Sequence, residues 1–542
     1  MVTVQHHSDI SFDATTAWAA ALKTAELNGD NEIFFPRGEY HFYSETKLKH
    51  CFISNNDESI KRIVFYLACR KNLKIRGDEA KFIFHGRLLP FVIEESQNIS
   101  ITGISIDFSK AFHFEAKLVD SDENSSLLRI PEEWSIENGK LLVFNDGLDA
   151  ITGKFITTPF IPGTGDFLEF GSYQITNQNL ICEKENELLR VPVKMDPVHT
   201  DLYLRHQGRH TPAFLIDRSD DTSLENIIIH HAEGMAVVGQ NSRNINLDHI
   251  SVIPAENRTL SVTDDAVHLS ECEGRIEIKN SVFLNTLDDA INVHGMYRRL
   301  KKSNPHMLVE ACHFQQFGLW NGRPGDVLEL LKADTMKSYG QVRCKECLPG
   351  TKQLYCLLLE DELPPEYESG DIVRFMRSAD MEVVISNNRM SNNLSRGILL
   401  SGAKRGLIEN NTIHAPGNGI YISGDANYWY ESGPVENVEI RNNIFDHCAY
   451  TQKNAVPINF DPVIPKKVPG FYYHGKANIH DNVFRTKDSA LVMKALSVAE
   501  INFHNNTIVT DEKPEKCDFV SVECGKLSAS DNLLNGNKLE NL

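Results

Sequence analysis

Two acidic phrases follow one another in this 542-residue chain: Thr263-Asp264-Asp265-Ala266-Val267-His268 and Leu287-Asp288-Asp289-Ala290-Ile291-Asn292-Val293-His294-Gly295. Their second aspartates lie 24 residues apart (289 − 265), about one turn of a solenoid built from short strands. Successive turns stack at roughly 4.8 Å, so equivalent positions meet on one face. Carboxylates gathered that closely oppose one another's ionisation. Asp265, Asp288 and Asp289 are the catalytic candidates. One carboxyl kept protonated can donate to a leaving oxygen, and one kept ionised can activate water or attack, the pair that glycoside hydrolysis requires. The rival readings of the same residues are a polar corner or a calcium site made by stacked carboxylates. Period-two alternation predicts that one Asp of each pair points out of the coil while the other runs along the turn.

His268 and Asn292 share the 24-residue step (292 − 268), and His294 follows closely; all three are candidate substrate contacts. A second constellation, Gly424-Asp425-Ala426-Asn427-Tyr428-Trp429-Tyr430-Glu431-Ser432-Gly433, reads as a long loop leaving the coil. In it Trp429 offers a ring face for sugar C–H groups, while Asp425 and Glu431 offer acceptors for hydroxyls. Arg205, His206, Arg209 and His210 cluster where an insertion rejoins the coil; Arg209 is the candidate for contact with substrate hydroxyls. His230-His231-Ala232-Glu233 lacks the i, i+4 helical pairing of a zinc site and reads as a polar groove floor. Cys344-Lys345-Glu346-Cys347 is a lone CxxC, and eleven cysteines, an odd number, exclude a complete disulfide framework. No metal site and no cofactor are assigned.

These residues need a scaffold, and the chain repeats one. Pairs rich in Asn recur at Asn387-Asn388, Asn410-Asn411, Asn442-Asn443, Asp481-Asn482, Asn505-Asn506 and Asp531-Asn532, each beside alternating apolar residues. The steps between second members are 23, 32, 39, 24 and 26 residues, a coil period with loop insertions. Asn tolerates a left-handed corner and can bond to the matching Asn of the next turn, so the pairs read as a structural ladder. The expected fold is all-β, a right-handed parallel β-helix with inserted small β-barrel or sandwich modules. Residues 1–111 form an N-terminal cap, with a helix from Ala14 to Leu27, and the first coils. Residues 112–205 and 318–378 are the inserted modules, marked by turns such as Asn138-Gly139, Asn145-Asp146-Gly147 and Ile161-Pro162-Gly163. Residues 206–317 carry the acidic site and 379–542 the last coils.

A formal charge of −19 argues against nucleic acid, which needs clustered Lys and Arg. No run of 18 apolar residues spans a membrane. No leader is visible at Met1; the expected location is periplasmic or secreted after removal of one. Inserted modules of this size leave room for a homo-oligomer.

The acidic phrases, together with Glu233-Gly234-Met235 and Gly424–Gly433, resemble those of glycoside hydrolase family 110, the inverting exo-acting α-1,3-galactosidases, over most of the chain. The resemblance implies a β-helix body with inserted barrels and Asp265, Asp288 and Asp289 as the acid/base set. It also implies removal of terminal α-1,3-linked galactose from a glycan, of blood-group B or linear type, without a metal. Asp264 departs from the family's single Asp before Ala. The preferred acid is Asp289, with Asp265 or Asp288 as base. The alternatives are a calcium-dependent lyase of the pectate-lyase-like class and a non-catalytic glycan-binding solenoid. Against the lyase stands the lack of an Arg or Lys within the Asp motifs.

Overall fold

In the computed structural model the described residues are 1–131, 133–137, 139–145, 149–150, 155–161, 164–168, 173–175, 182–195, 201–206, 208–301, 307–320, 322–451, 454–513 and 520–539. Short strands stack in parallel register into long sheets that wind around one core of Ile, Val, Leu and Phe. The alternation is visible residue by residue: Arg243–Val252 buries Ile245, Leu247, Ile250 and Val252 and turns the polar residues outward. The fold is the right-handed parallel β-helix expected.

The N-terminal helix, Ala14–Asn28, packs on the first strands of the coil. Asp13 caps it by accepting from the Thr15 amide at 3.0 Å, and Gly29 ends it at φ 69°, a value glycine takes at little cost. Trp18 is fully buried and donates through Nε1 to the Val64 carbonyl at 3.2 Å. The helix therefore covers the apolar end of the core.

The Asn pairs divide their labour. The first members, residues 387, 410, 442, 481, 505 and 531, all adopt φ between 53° and 57° and make the corner. The second members form an unbroken buried chain: Asn388 donates to Asn411, Asn411 to Asn443, Asn443 to Asn482, Asn482 to Asn506 and Asn506 to Asn532, at 3.0 to 3.2 Å. Each also donates to a carbonyl of a neighbouring coil, as Asn443 does to Ile408 at 2.9 Å. Every polar atom buried at the corner thus finds a partner.

Two modules interrupt the coil. His113–Ser121, Ser126–Arg129, Phe155–Phe160, Tyr173–Ile175, Glu183–Glu185, Leu188–Val191 and Asp201–His206 form a seven-stranded antiparallel sheet over a separate core of residues such as Phe114, Leu128, Leu189 and Leu204. Asn138, Asp146, Gly147, Pro162 and Gly163, in the expected turns, lie outside the described residues. The second module is a closed six-stranded barrel from Arg298–Lys301 to Ile372–Phe375. It starts at Arg298 rather than 318, because its first strand continues without a turn from the coil strand Ile291–Met296. Cys344 and Cys347 belong to one barrel strand, and burial raises both thiols; the cysteines among the described residues are free. Among the described residues no helix is long and apolar enough to cross a membrane.

Candidate active site

Register brings the acidic phrases together. Val267 pairs with Ile291, and Ile291 with Ile398, across three adjacent strands. The residues two positions earlier therefore stack: Asp265, Asp289 and Arg396. Main-chain bonds fix the stack, with Ala266 donating to the Asp289 carbonyl and Ala290 to the Arg396 carbonyl, both at 3.0 Å. The Asp pairs sit in the turns before the strands, not in them. The expected alternation consequently fails, and oxygens of Asp265, Asp288 and Asp289 converge within 4.8 Å of one another.

They face a cavity of about 180 Å³, lined also by Asn55, Arg209, Asn292, Arg396, Tyr421, Asp425, Trp429 and Glu431. Asn55 comes from a loop crossing the sheet, whereas Tyr421 stacks in register above Leu399 and Asn292. Glu431 arrives on a short strand paired antiparallel to Gly295 and Met296. Asn292 lines the cavity and is buried with its Oδ1 unbonded.

Charge is heavily managed here. Asp264 is fully buried and bonds the guanidinium groups of Arg205 and Arg209, each at 2.8 Å. Arg209 reaches on to Asp288 Oδ2 at 2.8 Å, and Arg396 to Asp289 Oδ2 at 3.1 Å. Burial pushes Asp288 upward, but Arg209, Arg396, a hydrogen bond from Ser395 and Arg205 outweigh it and leave this carboxyl below the usual aspartate value. Burial, with the charge of Asp288 among its neighbours, holds Asp265 and Asp289 well above that value. The Oδ1 of Asp289 is buried and unbonded.

A hydrogen-bond chain runs behind Asp265. Its Oδ2 lies 2.7 Å from His268 Nδ1, His268 Nε2 lies 3.2 Å from His294 Nε2, and His294 Nδ1 lies 2.8 Å from the Gly295 carbonyl. Burial depresses both imidazoles, His268 to about 4, so both are neutral at pH 7. The carbonyl can only accept, so His294 donates from Nδ1 and accepts at Nε2. His268 must then donate from Nε2 and accept at Nδ1, which leaves Asp265 as the protonated donor. This bonding logic agrees with the effect of burial on Asp265.

Of the residues singled out in the sequence, Asp265, Asp288, Asp289, Asn292, Asp425, Trp429, Glu431 and Arg209 line the cavity. His268 and His294 are fully buried behind it. Asp425 also shapes its loop, accepting from the backbone amides of Asn427, Tyr428 and Trp429. His231 is a buried strut between the Phe112 amide and the Ser261 carbonyl, and Glu233 pairs with Arg87 at 2.9 Å. The His210 carbonyl accepts from Lys61, and the side chain of His206 is outside the described residues. Sequence reasoning missed Arg396 and Tyr421 and undervalued Asp264. The Asp motifs contain no Arg or Lys of their own, and the fold supplies Arg209 and Arg396 to them from a distance.

Three converging carboxyls held beside two arginines, in a pocket on a parallel coil, fit a β-helical glycoside hydrolase. The sequence comparisons narrow the class. A profile described as "Right handed beta helix region" matches residues 367–539, and one described as "GLAA-B beta-barrel domain II" matches 306–373. Alpha-1,3-galactosidase A of Shewanella woodyi is 32% identical over 93% of this chain and 84% of its own length. Alpha-1,3-galactosidase B of Bacteroides fragilis is 30% identical over 91% and 87%, and that of Bacteroides thetaiotaomicron 28% over 96% and 88%. The chain belongs to the α-1,3-galactosidase family, glycoside hydrolase family 110.

Proposed function

We propose that the pocket removes a terminal non-reducing galactose in α-1,3 linkage, from branched blood-group B or linear glycans. The observation that carries this reading is the convergence of oxygens of Asp265, Asp288 and Asp289 within 4.8 Å, with Arg209 on Asp288 and Arg396 on Asp289. Asp289, held protonated with a free oxygen, donates to the glycosidic oxygen. Asp288, held ionised by Arg209, accepts the proton of the attacking water. Asp265 keeps its own proton on the side of His268 and orients Asp289, whose backbone amide it accepts at 3.1 Å. Trp429 supplies a ring face, and Asn292 and Glu431 supply acceptors for hydroxyls. A calcium reading is less well supported, because Arg209 and Arg396 already bind the carboxylates a cation would need.

The family resemblance favours inversion. One observation favours retention: oxygens within 4.8 Å stand nearer the roughly 5–5.5 Å carboxyl separation of retaining enzymes than the roughly 6.5–9.5 Å of inverting ones. Proton NMR of an α-1,3-galactosyl disaccharide digest decides both points. The expected result is β-galactose appearing first, at a rate unchanged by chelator. α-Galactose first would assign retention, chelator-sensitive formation of an unsaturated product would assign the lyase, and binding without release of galactose the glycan-binding reading.

A further inference from the structure

A second cavity, of about 370 Å³, opens on the same sheet as the catalytic pocket. Its floor comes from the strands Leu89–Glu94 and Phe214–Asp217. Leu215 pairs in register with Val238, Val238 with His268, and His268 with Asn292. The two sites therefore share one face, three strand steps or roughly 14 Å apart. Two segments join them. The loop 51–56 places Cys51 and Phe52 in the second cavity and Asn55 in the catalytic pocket. The segment 313–320 places Trp320 in the second cavity, while His313 packs 4.7 Å from the Trp429 ring.

The lining is suited to a polyhydroxylated ligand. Trp320 is 38% exposed, and its ring is oriented by an Nε1 bond to the Thr351 carbonyl at 2.9 Å and by Phe52 at 5.9 Å. Beneath it, Arg218 bonds Glu94 at 2.5 Å and Asp217 at 2.7 Å, and Lys49 also bonds Glu94. Two cations and two anions alternate, which matches hydroxyl groups better than a charged ligand. Asp217 is 6% exposed, and its Oδ1 has no hydrogen-bond partner. Burying such an oxygen costs free energy unless something occupies the site.

We propose that this cavity is a second sugar subsite, which takes a neutral residue of the same glycan on the reducing-end side of the scissile bond. An exo-acting pocket holds one terminal sugar, so the remainder of the chain leaves by its mouth, and the two shared segments lie between that pocket and the second cavity. The inference rests on the galactosidase reading, and a substrate-length series tests it separately. Rates on an α-1,3-galactosyl disaccharide report the catalytic pocket alone, because a disaccharide is too short to reach the cavity. Wild-type kcat/KM should rise with chain length to a tetra- or pentasaccharide. Trp320→Ala should remove about tenfold of that gain through KM and leave the disaccharide rate unchanged, which also reports intact folding. Asp217→Asn should have the same pattern and Trp320→Phe should restore most of the gain. Equal losses on short and long substrates, or no gain with length, would overturn the subsite. Failure of the wild type on every galactoside would instead overturn the activity. Independently of turnover, Asp289→Asn should bind the oligosaccharide lacking its terminal galactose, as measured by calorimetry. Addition of Trp320→Ala should weaken that binding about tenfold; no change would sink the proposal.

Discussion

The Asn ladder and the Asp–Asp–Arg column are built alike and behave oppositely. Both stack side chains at equivalent positions of successive coils, 388 through 532 in one case and 265, 289 and 396 in the other. An amide carries donors and an acceptor, so a stack of amides satisfies itself and lengthens without penalty. A carboxylate only accepts. A stack of two has nothing to offer itself but repulsion, and the fold answers with burial that raises Asp265 and Asp289 and with guanidinium groups at Arg209 and Arg396. The neutral column is structure; the charged column stores chemistry.

Substitutions should separate the two columns, and the largest effect belongs to the charged one. Asp289→Asn removes the donated proton while keeping shape, and kcat should fall roughly 10³-fold with unchanged circular dichroism and melting temperature. Near wild-type turnover in this variant would dissolve the acid assignment. In the ladder the expectation reverses. Asn443→Ala deprives Asn411 of an acceptor and Asn482 of a donor, both buried, and should cost about 2–4 kcal/mol of stability. Urea unfolding should show that loss while kcat stays within about twofold, since residue 443 lies at the corner between Asn437–Arg441 and Ile444–Asp446, which belong to a different sheet from the one that carries the pocket. A ladder variant as stable as wild type would mean that water replaces the amide.

The two columns were also unequally legible in the sequence. The ladder announces itself through six Asn-containing pairs, because a self-satisfying stack needs the same residue at every turn. The acidic phrases were legible for the same reason, one step of 24 residues apart. Arg396 was not, although it occupies the next place in that stack: the barrel lengthens its step to 107 residues (396 − 289). Asp264 was set aside as a departure from a family pattern. Its worth lies in two arginines that a chain of residues cannot show side by side. His268 and His294 read as substrate contacts because the strand pattern gives phase and not depth, and the loops that bury them come from elsewhere in the chain.

Arg209 offers the finest test of how the charged column is tuned. It bonds both Asp264 and Asp288 and is among the groups that hold Asp288 below the usual aspartate value. Removing it as Arg209→Met leaves burial, the larger upward influence, less opposed, so the Asp288 pKa should rise. The base is then ionised only above a higher pH, and the acidic limb of kcat/KM should shift upward. The basic limb, set by Asp289 and its partner Arg396, should move less. A shift of one pH unit corresponds to about 1.4 kcal/mol of lost support for the carboxylate, small beside the loss of the acid itself. The pH profile of the variant on a disaccharide measures it. If the basic limb moved instead, the roles of Asp288 and Asp289 would be exchanged. If neither moved, Arg209 would serve the fold through Asp264 alone.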